Sequence, residues 1–369
     1  MNPIISNIKG VNHNDVFSFT MSNINVSLAN AIRRIILSEI PTLAFITELY
    51  NDNLCNIIEN TSRLHNEILK QRLGCIPIHE KDLTRLPEKY VLELNVTNDT
   101  ENIMYITTEH FKIKNKIDGT YLSSEDTQKI FPKNDLTNYY IDFARLRPKI
   151  SDTIPGETIA LICDFGVSNA KYNSMYNVVS KCTYSNSPDN QKILKAWDEQ
   201  FEKLNKEGIP SKEIEFHKKN FMILDKQRYF IPDSFDFEIQ SVGVYDNIEI
   251  VKKACEILSK KFDTMIEMND ADTVPIINNE TTMDNSFDII LENEDYTMGK
   301  VLEYILYENH YQGDKTLSFC GFKKMHPHDN ESIIRIAFTE KFGKTEVKTM
   351  LTNTCKIASD IYKKLYKKL

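Results

Sequence analysis

The sequence predicts an α+β protein made of two copies of one unit, strands plus two amphipathic helices each, with a mainly β domain inserted into the first copy. Three observations lead there. The stripes Leu28-Ala31-Ile32-Ile35-Ile36 and Met298-Val301-Leu302-Ile305-Leu306 share one spacing at a constant offset of 270 residues. Each half then closes with a long amphipathic helix. About 40 residues separate that helix from the early one in the second half and more than 200 in the first, which calls for an insertion. Any two amphipathic helices share i, i+3, i+4 spacing, so chance likeness stands beside duplication as a reading of this pattern alone.

Taken in order, Ile4 to Ile8 and Val16 to Met21 read as strands, the second with Phe17, Phe19 and Met21 alternating with polar residues. A helix follows over Ser27 to Glu39, capped by Asn25 or Ser27 and stopped by Pro41. Further strands are predicted at Tyr90–Thr97, Met104–Thr108, Thr158–Asp164 and Val178–Tyr184, with a charged helix over Gln191 to Glu207. Phe235, Phe237, Ile239 and Val242 mark another strand. The next helix, Asn247 to Met265, carries Ile248, Val251, Cys255, Leu258, Phe262 and Met265. Residues 269–286 are polar and read as a linker. Beyond it come a strand at Phe287–Leu291, a helix at Thr297–Glu308 and strands near Leu317–Phe322 and Ser332–Phe338. The last helix, Thr345 to Lys367, carries Val347, Met350, Leu351, Thr354, Ile357, Ala358, Ile361 and Leu365. The predicted organisation is therefore 1–49 plus 218–268 as the first unit, 50–217 as the insert, 269–286 as linker and 287–369 as the second unit.

Composition narrows the function. Eleven Gly and twelve Pro among 369 residues exclude collagen-like and Pro/Gly-rich disordered classes. A net charge of −8 argues against a broad face gripping nucleic acid, because phosphate neutralisation needs a basic excess. The seven cysteines, Cys55, Cys75, Cys163, Cys182, Cys255, Cys320 and Cys355, form no CxxC pair and read as buried thiols in a reducing compartment. The first ten residues lack a secretory pattern, and no apolar run approaches membrane-spanning length.

The segment Asn25-Val-Ser-Leu-Ala-Asn-Ala-Ile-Arg-Arg-Ile-Ile-Leu-Ser-Glu-Ile-Pro-Thr-Leu-Ala44 resembles the first dimerisation helix of the alpha-like subunits of DNA-directed RNA polymerases, in particular the third-largest eukaryotic subunit and its archaeal D-like counterpart. His65-Asn-Glu-Ile-Leu-Lys-Gln-Arg-Leu-Gly-Cys-Ile-Pro-Ile78 is similar to that family's "HNE…HRLG…IP" segment, and Ala170-Lys171-Tyr172 to its "HAKW", with Asn169 in place of the His. Ser234 to Gly243 and the helix after it resemble a further strand and the second dimerisation helix. The C-terminal unit resembles a different subunit, the eleventh, with its archaeal L-like counterpart. Leu291 to Lys300 is similar to "LxNEDHTLGN", Gly321 to His328 to "GYKxPHP", and Arg335 falls in the next strand. Two subunits that normally pair as separate chains thus look fused, as in large nucleocytoplasmic DNA viruses.

The resemblance implies a non-catalytic assembly platform for the largest and second-largest polymerase subunits and small adaptor subunits. It implies no sequence-specific DNA contact, no membrane association and no homo-oligomer. The implied place is the host cytoplasm and virion of a virus, or otherwise the reducing compartment where transcription occurs. Many relatives carry a Cys-rich zinc or iron–sulfur site in the insert; this chain lacks clustered cysteines, so no metal or other cofactor is expected. No phosphate-binding Gly loop, Asp-x-Asp-x-Asp run or HExxH motif is present. A stand-alone nucleic-acid-binding regulator is the alternative, and a thiol or histidine enzyme ranks below it.

Intramolecular pairing is assigned to Leu28, Ile32, Ile35, Val251, Leu258, Phe262, Met298, Leu302, Ile305, Met350, Ile357 and Ile361, and an Asp at Leu258 or Ile357 is expected to disrupt folding. Arg33, Arg34 and Leu37 lie off the apolar stripe and read as a docking surface, or as two solvated arginines and a stray Leu. Arg72, Leu73, Gly74 and Pro77 read as a turn contacting neighbouring subunits, or as an ordinary turn inside the insert. Glu294 and Asp295 precede a helix and read as its cap. Gly299 permits close backbone approach. His326-Pro-His328 reads as a loop pair rather than a metal site, and His65 as a hydrogen-bonded structural residue.

Overall fold

The fold comes from a computed structural model that describes residues 1–10, 16–48, 50–151, 153–279 and 283–369. In chain order the elements begin β1 (Ile4–Lys9), β2 (Phe17–Ser22), α1 (Val26–Ser38), β3 (Thr42–Ala44), β4 (Cys55–Asn60) and α2 (Asn66–Gly74). They continue β5 (Tyr90–Thr97), β6 (Met104–Thr107), β7 (Lys112–Asn115), α3 (Ser124–Ile130), β8 (Asp142–Leu146), β9 (Thr158–Asp164) and β10 (Gly166–Ser168). Next are β11 (Val179–Pro188), α4 (Asn190–Lys206), α5 (Ser211–Ile223), β12 (Phe230–Ser241) and α6 (Asn247–Asp270). The chain ends β13 (Ile276–Asn278), β14 (Ser286–Glu292), α7 (Tyr296–Leu306), β15 (Leu317–Lys323), β16 (Glu331–Phe338) and α8 (Lys344–Lys368).

The chain divides into two compact units: residues 1–36, 181–240 and 247–369 form one, and 37–180 with 241–246 form the other. Both repeats therefore lie in the first unit. The boundaries differ from the expected 50–217 insert, because β11 lies beside β12 and so carries residue 181 onward into the first repeat's sheet. α4 and α5 follow as a connection between these strands, with their own small core of Ile193, Trp197, Leu204 and Phe221. Asp189 caps α4 by accepting from the Lys192 N–H.

The first repeat is a sheet in the order β1-β2-β12-β11. Its inner face follows from the period-2 pattern: Phe19 sits opposite Phe237 and Met21 opposite Phe235, and the two facing Phe rings stack at 5.2 Å. The second repeat has the order β13-β14-β16-β15, all antiparallel. The expected linker is thus partly structured: α6 continues to Asp270, and Ile276–Asn278 pairs with β14. Asn279 also bonds the Asp288 side chain at 2.7 Å, so polar composition here reflects in part an edge strand; residues 280–282 of the expected linker lie outside the described residues.

The other unit holds a sheet β4-β9-β5-β7 and two short ladders, β6-β8 and β10-β3. One core serves them, with Leu69 and Leu73 of α2, Phe45, Leu92, Phe111, Phe143 and Leu161. Cys55 lies opposite Cys163 in the β4–β9 register.

Candidate functional site: the helix pairing surface

α6 and α8 are the long helices that close each repeat, and they run antiparallel against one another. At one end the Asn269 amide donates to the Lys348 carbonyl and the Thr352 hydroxyl, both at 2.8 Å. Midway, Ser359 donates to the Asp263 carboxylate at 2.7 Å, and Phe262 stacks on Tyr362 at 6.0 Å with ring planes 9° apart. Lys363 reaches the same carboxylate at 2.9 Å. Burial opposes ionisation of Asp263, yet the Lys363 and Ser359 bonds outweigh it and hold its pKa below the usual range.

The early helices are tied in as well. Tyr362 donates its hydroxyl to the Leu28 carbonyl on α1 at 3.3 Å, and burial pushes its pKa well above the ordinary tyrosine value. Asp295 is the N-cap of α7, accepting from the Thr297 N–H at 2.8 Å. Arg34 of α1 donates to that carboxylate at 2.6 Å and to the Thr297 hydroxyl at 2.8 Å. Burial works against the Asp295 charge, but the Thr297 bonds and the Arg34 cation prevail and depress its pKa. Lys261 of α6 pairs with Glu294 at 3.1 Å. Within the second repeat, Asp288 of β14 takes Arg335 of β16 in a two-pronged pair at 2.6 and 2.7 Å. Arg335 is the main reason its pKa is lowered, against partial burial and with help from Asn279.

Of the residues expected to pair, Leu28, Ile32, Ile35, Val251, Leu258, Phe262, Met298, Leu302, Ile305 and Ile361 are buried. Met350 is half-buried, and Ile357 is 39% exposed, which corrects its assignment. The buried face of α8 runs through Leu351, Cys355, Ala358, Tyr362 and Leu365, so Ile357 turns away from it. Ile248 on α6 is likewise exposed, and Ile250 is buried instead. Tyr362 is absent from the expected stripe and Cys355 is expected only as a buried thiol, not on the pairing face, because a polar tip and a thiol do not stand out on an apolar stripe. Their i, i+3, i+4 spacing from Leu351 and Ala358 was the available signal.

Several expected partner-facing residues are placed elsewhere. Arg34 is turned onto the α7 cap, inside the unit, so its assignment to a docking surface is corrected. Leu73 is fully buried, and Gly74 lies against Met175 and Thr47. They end helix α2 and are buried, which corrects their reading as part of a turn. Arg33, Leu37 and Pro77 are half-buried, and Arg33 donates to Asn30 at 2.9 Å. Arg72 is exposed, its guanidinium donating to the Phe143 and Asp142 carbonyls at 2.6 and 2.8 Å.

Asp295 caps its helix as expected. A Cβ on Gly299 would lie 2.0 Å from the Phe322 ring, so a side chain, not a backbone, makes the close approach. His65 stands exposed at the start of α2 without a side-chain cap bond. The His326 and His328 rings lie 5.1 Å apart, tilted by 39° to one another. Among the described residues no three His, Cys, Asp or Glu side chains are placed to share a metal ion. Five of the seven thiols are buried; Cys320 is half-buried and Cys75 exposed, which corrects its expected burial. No helix among the described residues is long and apolar enough to cross a membrane.

Two repeated α+β units, joined through their long helices within one chain, define an intramolecular dimerisation module. Residues 18–262 match the RNA polymerase Rpb3/Rpb11 dimerisation domain, and residues 286–368 match it again. The chain therefore belongs to the RNA polymerase Rpb3/Rpb11 dimerisation-domain family and carries two such domains in tandem. It is 24% identical over 294 residues to the DNA-directed RNA polymerase II subunit RPB3 of Schizosaccharomyces pombe, covering 76% of this chain and 92% of that protein. It is 24% identical over 273 residues to the DNA-directed RNA polymerase subunit Rpo3 of Pyrococcus horikoshii, covering 68% and 93%. A conjugation stage-specific protein of Tetrahymena thermophila is also 24% identical, over 296 residues, covering 68% and 90%.

Proposed function

We propose that this chain is a non-catalytic assembly-platform component of a DNA-directed RNA polymerase, supplying in one polypeptide the two alpha-like units that relatives bring as separate chains. The observation that carries this reading is the pairing of the two repeats inside one compact unit, through Arg34–Asp295, Phe262–Tyr362 and Asp263–Ser359. Fusion makes the pairing intramolecular, so it no longer depends on the concentration of two separate chains. The platform then docks the largest and second-largest polymerase subunits and small adaptor subunits, one copy per complex. Arg33, Leu37, Arg72 and Pro77 are the residues we retain for such contacts, since each keeps exposed surface. No cofactor and no membrane enter this reading. The compartment is a reducing one in which transcription occurs, consistent with seven free thiols; if the fusion is viral, that is the host cytoplasm and the virion.

Purification of the tagged chain from its native source tests the reading. Two large polymerase subunits in near-stoichiometric yield are the expected result. A chain recovered alone and monomeric would overturn it, and would revive the stand-alone regulator. An Arg33→Ala variant that recovers the large subunits undiminished would remove that residue from the docking surface.

A further inference from the structure

The unit formed by residues 37–180 carries a cavity of about 330 Å³ with an aliphatic floor and an arginine rim. Leu64, Ala144 and Leu146 form the floor; Arg63, Arg72, Arg145 and Arg147 stand around it. Four guanidiniums in so small a space are notable in a chain of net charge −8. Among the described residues, only one of them is neutralised by a carboxylate: Arg147 pairs with the buried Glu157. Arg72 spends two donors on backbone carbonyls. Arg145 sits directly opposite Tyr105 in the β6–β8 ladder, its guanidinium over that ring at 4.8 Å. Arg63 is exposed and pairs with no carboxylate among the described residues. Asp142 is the one other acidic group among the lining residues.

The geometry points to a docking site for a protein segment with one aliphatic or aromatic anchor flanked by carboxylates. The chemistry decides this in two parts. Guanidiniums with spare in-plane donors favour carboxylates, which they can grip through two parallel bonds. Their attraction is strengthened beside an apolar floor that excludes water. The floor itself calls for an apolar side chain, because the exposed Ile103 (58%) at the cavity and Tyr105 (49%) beside Arg145 are otherwise left to solvent. Arginine clusters reading acidic motifs are a recurring mode of peptide recognition. A nucleic-acid strand fits less well: a phosphodiester would leave the floor empty, and the exposed ring nearby, Tyr105, already carries the Arg145 guanidinium over it at 4.8 Å. The inference rests on the proposal that this chain docks partner subunits, and it adds the chemistry of one partner segment.

Fluorescence anisotropy on the purified full chain tests it. The probe is a labelled heptapeptide, Glu-Asp-Glu-Leu-Glu-Asp-Glu, compared with the same peptide carrying Gly at the centre and with a twelve-nucleotide thymidine strand. The Leu peptide is expected to bind about tenfold tighter than the Gly peptide, the scale of one buried aliphatic side chain. Arg63→Glu/Arg145→Glu is expected to weaken it at least tenfold, and Arg63→Gln/Arg145→Gln by an intermediate factor. Both arginines are exposed, so circular dichroism of the variants is expected to match the parent. Equal binding of the Leu and Gly peptides, unchanged binding by the charge-reversed variant, or tighter binding of the thymidine strand would each overturn the site. If the peptide fails to bind while the large subunits still co-purify, this site alone falls. If the peptide binds and the subunits do not co-purify, the site stands and the assembly reading falls.

Discussion

Arg34 and Asp295 lie 261 residues apart in the chain and 2.6 Å apart in space. One belongs to the first helix of the first repeat, the other caps the first helix of the second. The carboxylate thus serves two ends at once, closing the exposed N–H groups of α7 and receiving a cation from α1.

That double duty makes the pair measurable. Both side chains are about one-third exposed, so solvent screening discounts the interaction. Arg34→Met is expected to lower unfolding free energy by about 1 kcal/mol. Asp295→Asn removes the charge but keeps a capping oxygen, and the double variant should show a coupling of about 0.5–1 kcal/mol. Urea denaturation of the four proteins checks this, and strict additivity would mean the contact contributes nothing.

Two aspartate substitutions separate the true face of the pairing helices from its neighbour. Leu258 is fully buried on α6, whereas Ile357 is 39% exposed on α8. Leu258→Asp buries an unpaired charge and is expected to leave the paired unit unfolded at 25 °C. Ile357→Asp should shift stability by only about 0.5 kcal/mol. Thermal melts followed by circular dichroism distinguish them, and equal losses would place Ile357 back on the interface.

Gly299 is a packing position for an aromatic ring. Gly299→Ala gains helix propensity but drives its methyl into Phe322, whose Cε2 would be 2.0 Å away. A net loss of about 1–3 kcal/mol is expected from overpacking. Phe322→Leu in the same chain should recover part of it. A stabilised Gly299→Ala protein would show the ring swings aside freely.

Acid sensitivity should trace to Asp288. Its pKa is depressed mainly by Arg335, so the stabilisation is present above the unfolded value of about 3.9 and is lost as pH falls through the lower folded value. Asp288→Asn is expected to cost about 2–4 kcal/mol at neutral pH, since it leaves Arg335 poorly compensated. The gap between parent and variant should close as pH drops below about 4. Denaturation curves at pH 7, 5, 4 and 3 test this, and a gap constant to pH 3 would assign the stability elsewhere.

Much of this protein is written in local pattern. Strands at Tyr90–Thr97 and Thr158–Asp164 coincide with their observed ends, and α4, α7 and α8 begin within a residue of expectation. Period 2 and period 3.6 are properties of neighbouring residues, so they survive without knowledge of the fold. The repeat offset, and with it the doubled family domain, is of the same kind. What the sequence left open concerns residues whose environment is set from a distance. Arg34 looks like a surface cation until Asp295 is placed beside it. Leu73 and Gly74 look like a turn until α2 closes on the core. Residues 181–217 look like part of the insert until β11 takes its place beside β12. Ile357 looks like stripe because helical periodicity tolerates a shift of one position, about 100° on the wheel, and only the partner helix fixes which side is buried. The sequence by itself therefore determined the elements, their repetition and the family. The tertiary structure alone decided which charges are spent inside and which of two adjacent apolar residues faces the pairing surface, because both depend on contacts between residues hundreds of positions apart.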